Sequence, residues 1–356
     1  MPIKQGKFEP NYCNVAMAAR NHPVKRLPLY EHFVCDAVME AVTGKNFHSL
    51  INGDINDKTE YFKEVCAFWM SLGYDTVSYE CCIGGIMPDS GCLGGHRQSV
   101  ISNYSDFIRY PWDNIPDLYF NAFGDHFEGL RRALPPGMKA VGGVGNGIFE
   151  CVQDVLGYMN MCYIKSDDPK LYEDIFHKVG DVVLEIWNRF LPLYGDIYCV
   201  LRFGDDLGYK SNTLISSDDI RRLVVPAYKR VIEGVHAHGK PFLLHSCGAI
   251  FDVMPDMIGT AKIDAKHSNE DQIAPFPEWV RSYGKDIALF GGIDTDAICR
   301  LSCAEIGEYV NDVLDRCAAL GSSGIAFGSG NSIPDYVPVD KYVAMTEAVV
   351  RYRGDK

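Results

Sequence analysis

Along this chain, short apolar runs alternate with longer stretches whose apolar residues recur every three or four positions, which predicts strands and helices in turn. Tyr61, Phe62, Val65, Trp69 and Leu72 share one helical face over residues 58–72, with Asp57 ahead of it and Gly73 as its stop. A strand over residues 76–79 follows and ends at Glu80. Residues 138–142 form the next strand, and the glycines of 142–147 lead into a helix reaching Val155. That glycine run reads as a tight strand-to-helix turn rather than a nucleotide loop, because neither the downstream acidic residue nor the unit length of such a loop stands out. Asp167-Asp-Pro169 opens a long amphipathic helix with Ile175, Val179, Val182, Val183 and Ile186 on its apolar side. Beyond it, strands at 197–203, 242–244, 263–267, 287–290 and 325–327 alternate with helices at 218–236, 254–258, 304–320 and 340–351.

Strand, helix, strand, helix with short connections means parallel strands joined by right-handed crossovers. With roughly eight such strands, the closed (β/α)8 TIM barrel is the natural architecture. The expected organisation is one domain over residues 1–356, with an N-terminal arm and helix over 1–55. Residues 81–136 break the rhythm, being irregular and rich in Gly, Pro, Asp and aromatics, and are expected to form a long insertion or lid after the first strand. Its aromatics from Tyr104 to Phe127 would either line a substrate pocket or merely pack a long loop.

Composition narrows the partners. Lys and Arg number 34 against 47 Asp and Glu, a net charge of −13, which argues against a nucleic-acid or anionic-membrane surface. The 13 cysteines are dispersed, with no secretory signal before them, so the expectation is reduced thiols in a cytoplasmic protein. No apolar run is long enough to span a bilayer.

In a parallel barrel the chemistry collects at the carboxyl ends of the strands. Those ends carry Glu80, Asp205, Asp206, His245, Cys247, His267, Asp294 and Ser329. Burying such groups costs free energy unless they are paired or used. His245 and Cys247, two apart at one strand end, project from the same face and suit a soft metal ion. Each residue also has a plain structural role open to it. Asp205 or Asp206 could cap the following loop, His267 could be a core histidine holding a carbonyl, and Asp294 could be a helix N-cap.

The chain resembles the uroporphyrinogen decarboxylase superfamily, and within it the zinc-dependent, corrinoid-linked methyltransferases. The likeness rests on Arg26-Leu-Pro-Leu29, Asp167-Asp-Pro169, Phe203-Gly-Asp-Asp-Leu207, Leu244-His-Ser-Cys-Gly248, Gly291-Gly-Ile-Asp294 and Gly330-Asn-Ser-Ile-Pro334 with Pro338. In methyltransferases of the family, His-Ser-Cys-Gly on the fifth strand supplies two zinc ligands. Two departures stand out. The arginine-rich Arg-Gln-Ala-Gly-Arg motif of the decarboxylases is missing, and with it the counter-charge for a tetrapyrrole polycarboxylate. Thiol-methylating members place a further zinc cysteine where this chain has Ser329 in Gly328-Ser-Gly330. A carboxylate could fill that vacancy, with Glu80 the first candidate and Asp205 the next.

The resemblance implies an O-demethylase methyltransferase component. His245, Cys247 and Glu80 would hold zinc, while Asp205, Asp206 and His267 would serve catalysis. The methyl group of a methoxylated substrate, an aromatic one included, would pass to cobalamin on a partner corrinoid protein, since no Asp-x-His-x-x-Gly corrinoid motif occurs in the chain. The alternatives are a decarboxylase of a carboxylated substrate, using Asp205 or Asp206 as acid and base, and a non-catalytic barrel that binds a corrinoid or other ligand. A homodimer is the assembly considered.

Overall fold

A computed structural model describes residues 8–95 and 97–354. The first seven residues of the expected N-terminal arm and the two C-terminal residues lie outside that range. Seven strands form one all-parallel sheet in sequence order. They are β1 Thr76–Cys82, β2 Lys139–Gly145, β3 Tyr198–Gly204, β4 Phe242–His245, β5 Ala265–His267, β6 Ala288–Ile293 and β7 Ile325–Ser329. Helices connect them, as parallel strands require.

The place of an eighth strand is taken by the N-terminal arm. Leu29 bridges Phe327 in parallel and Val34 bridges Ile333. The Tyr30 N–H donates to the Phe327 carbonyl at 3.0 Å, and the Phe327 N–H donates to the Pro28 carbonyl at 2.9 Å. On the other side the Ser78 hydroxyl of β1 reaches the His32 carbonyl at 2.6 Å. Residues 28–35 therefore sit between β7 and β1, although Pro28 has no N–H to give and only isolated bridges form.

One end of the sheet interior is plugged by the helix Cys13–Ala19, whose Val15, Ala18 and Ala19 pack with Val141, Leu243, Ala265 and Ala326. The opposite, carboxyl end of the strands is where the polar side chains gather. Strand alternation explains which ones point in. On β4, Phe242 and Leu244 pack outward with the surrounding helices, so Leu243 and His245 face the interior. The same rule turns Ser78 and Glu80, Arg202, and Ala265 and His267 inward.

Two boundaries differ from the sequence reading. The helix expected over 58–72 begins at Ile55, because Asp54 rather than Asp57 is the N-cap: Asp54 accepts from the Asn56 and Asp57 N–H groups, and Asp57 returns the bond to complete a capping box. Residues 81–136 are not one irregular excursion. Ile115–Ala133 is a regular helix that opens with Pro116 in its first turn, where a missing N–H costs nothing. Gly129 obscures its apolar stripe and has a packing reason: a Cβ there would lie 3.1 Å from Lys58 Cβ, where this helix meets Ile55–Ser71. The irregular part shrinks to residues 83–114 and contains, among the described residues, the short helix Tyr104–Arg109 and two 3-10 turns.

Candidate metal centre at the carboxyl ends of the strands

His245 is the last residue of β4 and pairs in register with Gly204 of β3 and His267 of β5. The His245 ring packs beside Gly204, where a Cβ would make an ordinary 3.5 Å contact with Cδ2. Beyond His245 the chain leaves the sheet. The Cys247 N–H donates to Asp206 Oδ1 at 2.8 Å instead of to a strand, and Gly248 takes φ +84. At Gly248 and Gly208 the loops after β4 and β3 cross so closely that a Cβ on Gly248 would overlap the Gly208 carbonyl carbon at 2.1 Å. That contact, open only to glycine, brings Asp206 over the His245 and Cys247 side chains.

The result is a three-residue constellation. Cys247 Sγ lies 3.5 Å from His245 Nε2, and Asp206 Oδ1 lies 3.6 Å from the same nitrogen. One ligand atom from each residue falls within 4.8 Å of the others. Burial, with His267 adding to it, holds the His245 imidazole well below its usual pKa, so the ring is neutral. Burial and the nearby Asp206 charge push the Cys247 thiol far up. A divalent cation would reverse that second effect, because thiolate is the ligating form and metal binding releases its proton. A neutral imidazole, a cysteine and a carboxylate converging from two strand ends fit zinc in donor type and number, with a fourth position left for substrate or water.

The other expected site residues are placed differently. Glu80 faces Arg202, which donates from Nε at 2.8 Å and from a terminal nitrogen at 2.8 Å; His32 Nε2 stands 3.8 Å off its other oxygen. Arg202 also donates to Tyr30 Oη at 2.7 Å and Ser78 Oγ at 2.8 Å. Glu80 is thus committed to a buried cation and stands apart from Cys247. Asp205 is wholly buried and accepts from the Phe149 and Glu150 N–H groups at 2.9 and 2.7 Å and from Tyr228 Oη at 2.5 Å. It caps the helix Ile148–Leu156 from across the rim. Burial lifts Asp205 to about 6 against those donors. It lifts neighbouring Glu150 well above the carboxylate range, with the Asp205 and Asp206 charges adding to the effect. Glu150 accepts from the Asp206 N–H at 3.2 Å and from Asn146 at 2.8 Å.

His267 is fully buried, with its Nδ1 2.7 Å from His245 Nδ1 and its Nε2 3.2 Å from the Ser329 carbonyl oxygen. Asp294 is an N-cap, accepting from the Ala297 N–H at 3.1 Å. Sequence reasoning passed over His32, which the N-terminal segment lays flat on His245 with ring centroids 3.7 Å apart. It also passed over Lys266, buried on the outer face of β5 with its Nζ 3.7 Å from the centre of the Trp279 ring; burial brings this amine down to about 7. The aromatics of the segment after β1 do not reach the site. Tyr104 donates to Asp174 at 2.9 Å and Phe107 and Tyr110 stack about Trp112, against the long helix Pro169–Tyr194. Beside the metal constellation runs an open cleft of about 290 Å³ whose lining includes Lys210, Glu270, Asp294, Asp296, Asn331 and Tyr336. Asn331 connects the two, its Nδ2 standing 3.5 Å from Cys247 Sγ.

The family model for uroporphyrinogen decarboxylase (URO-D) matches residues 70–352. A curated uroporphyrinogen decarboxylase from Streptomyces avermitilis is 26% identical over 184 residues, which is 51% of this chain and 47% of that protein. The match thus spans about half the length of the curated relative. Among solved structures, a methyltransferase from Methanosarcina mazei superposes with a TM-score of 0.70, covering 97% of this chain and 99% of that one at 15% identity. At that identity the likeness speaks for the fold alone.

Proposed function

The chain belongs to the uroporphyrinogen decarboxylase (URO-D) family, and from that premise we propose that it is a zinc-dependent methyltransferase. It takes the methyl group of a methoxylated substrate and delivers it to a corrinoid on a partner protein. The observation that carries this reading is the convergence of Asp206, His245 and Cys247, one ligand atom of each lying within 4.8 Å of the others. Asp206 thereby takes the third-ligand place for which the sequence suggested Glu80.

Bound zinc would supply Lewis acidity toward an ether or hydroxyl oxygen, the chemistry suited to a site with one imidazole, one thiolate and one carboxylate. The chain's own residues prepare for it. Asp206 pins the Cys247 amide and so fixes where the sulfur points. The neutral His245 ring needs no deprotonation before it ligates. The cleft alongside seats the substrate between Tyr336 and the polar groups of Asn331 and Lys210. The partner docks over the same rim, where the cleft opens. The family's other chemistry, decarboxylation of a tetrapyrrole polycarboxylate, is the second reading, favoured by the curated relative. Against it stands the cleft, lined by Glu270, Asp294 and Asp296, while Arg202 is already spent on Glu80.

No helix among the described residues is long and apolar enough to cross a membrane, and all thirteen cysteines are free thiols. We propose a cytoplasmic placement. The test is incubation with a panel of methoxylated aromatics and a reduced corrinoid protein. Methylcobalamin absorbance that appears with wild type and not with Cys247→Ala supports methyl transfer. Turnover of a porphyrinogen by metal-free protein would replace it with the second reading.

A further inference from the structure

The two histidines behind the metal constellation form a directional chain. His267 Nε2 lies 3.2 Å from the Ser329 carbonyl oxygen. A carbonyl can only accept, so this nitrogen carries the ring hydrogen. The ring is wholly buried, where the neutral form with a single ring hydrogen is favoured. Its Nδ1 is then a bare acceptor. Across 2.7 Å stands His245 Nδ1, which must be the donor. That leaves His245 Nε2 as an unprotonated lone pair, and this is the nitrogen facing Cys247 and Asp206.

The far end of the chain is anchored as well. The Ser329 N–H donates to both oxygens of Glu31, at 3.0 and 3.2 Å, and the Ser329 hydroxyl also bonds that carboxyl. Tyr74 Oη donates to Glu31 at 3.1 Å. Ser329, the residue standing where related methyltransferases place a cysteine, is therefore turned toward Glu31, and only its carbonyl serves the site. Glu31 belongs to the segment that fills the gap between β7 and β1, and its neighbour His32 stacks on the His245 ring.

We propose that His267, anchored through Ser329 by Glu31, is a positioning residue that holds His245 in the Nδ1–H tautomer, so that the N-terminal segment presets the metal-binding nitrogen. This deepens the zinc reading of the same constellation and rests on it. Such partners behind a ligand are usually worth about 10–100-fold in metal affinity. His267→Phe removes the acceptor while keeping a flat ring of similar size. His267→Asn keeps an acceptor oxygen close to the position of Nδ1.

The experiment has two readouts on the full chain. The first is the nitrogen-15 spectrum of histidine-labelled, metal-free protein, with His245 assigned by the signal lost in His245→Ala. It should show a pyrrole-type Nδ1 and a pyridine-type Nε2 for His245, and His267→Phe should mix or invert them. The second is zinc affinity by chelator competition, which should fall about 10–100-fold in His267→Phe and recover most of the way in His267→Asn. A hydrogen on His245 Nε2 in the wild-type spectrum overturns the proposal, and it does so without any variant having to fold. So does a folded His267→Phe that binds zinc within twofold of wild type. X-ray absorption of the zinc-loaded protein that fits two or three imidazoles and no sulfur also overturns it, by making His267 a ligand. A wild-type protein that binds no zinc overturns the metal reading instead, and the tautomer result still stands or falls by its own spectrum.

Discussion

Two polar clusters share the inside of this sheet, and their chemical states are opposite. On the β1 and β3 side, Glu80, Arg202, Tyr30 and Ser78 pair with one another: the carboxylate meets the guanidinium, and two further N–H groups find hydroxyls. On the β4 side, Asp206, His245 and Cys247 aim ligand atoms at a common point. Both clusters are buried polar groups at strand ends, and both cost free energy to desolvate. Only the second has ligand capacity left over. Polarity at the rim of a parallel sheet therefore does not mark a site; unspent lone pairs do.

That contrast can be broken experimentally, and the largest effect should come from the second cluster. His245→Ala or Cys247→Ala should reduce zinc from about one per chain to background in metal analysis of purified protein. Glu80→Ala should keep its zinc. Its damage falls on stability instead, because Arg202 is left buried and unpaired: about 3–5 kcal/mol in urea unfolding, the usual cost of breaking a buried pair. A Glu80→Ala protein that stays stable and loses zinc would exchange the roles of the two clusters.

Glu31 gives a pH-dependent effect of intermediate size. Burial raises its carboxyl to about 8 from an ordinary 4.5, against the hydrogen bonds from Ser329 and Tyr74. The folded state then holds a proton that the unfolded state has released. The stabilisation is complete below the unfolded value and is lost as pH rises through the folded one. Urea midpoints measured from pH 5 to pH 8 should decline, and Glu31→Gln should flatten that part of the slope. An unchanged slope in the variant would place the titration elsewhere. The smallest effect expected is for Asp206→Asn, which keeps an acceptor oxygen but loses the charge: zinc should bind at least roughly tenfold more weakly, about 1.4 kcal/mol.

Much of this fold was legible because parallel strands write themselves as short apolar runs ended by glycine or polar residues. All seven strands of the sheet were found in that way. What escaped was the eighth position. Residues 28–35 carry a proline and make isolated bridges rather than a ladder, so no period of two runs long enough to separate them from an arm. With that segment went Glu31 and His32. The one available signal was a pair of titratable residues inside an otherwise apolar run from Leu29 to Val34. His245 and Cys247 were visible from spacing, and Asp206 was visible as a strand-end acid. Choosing between Asp206 and Glu80 was beyond spacing. It depends on which carboxylate meets Arg202, and on the glycine contact that folds the loop after β3 onto the loop after β4.

In the reading proposed above, His245 Nε2, Cys247 Sγ and an Asp206 carboxylate oxygen form the metal site. Anomalous diffraction from zinc-loaded crystals, recorded on both sides of the zinc absorption edge, tests it most directly. One strong peak per chain is expected within bonding distance of His245 Nε2, Cys247 Sγ and an Asp206 carboxylate oxygen. A peak bonded to Glu80, or none at this position, would contradict it.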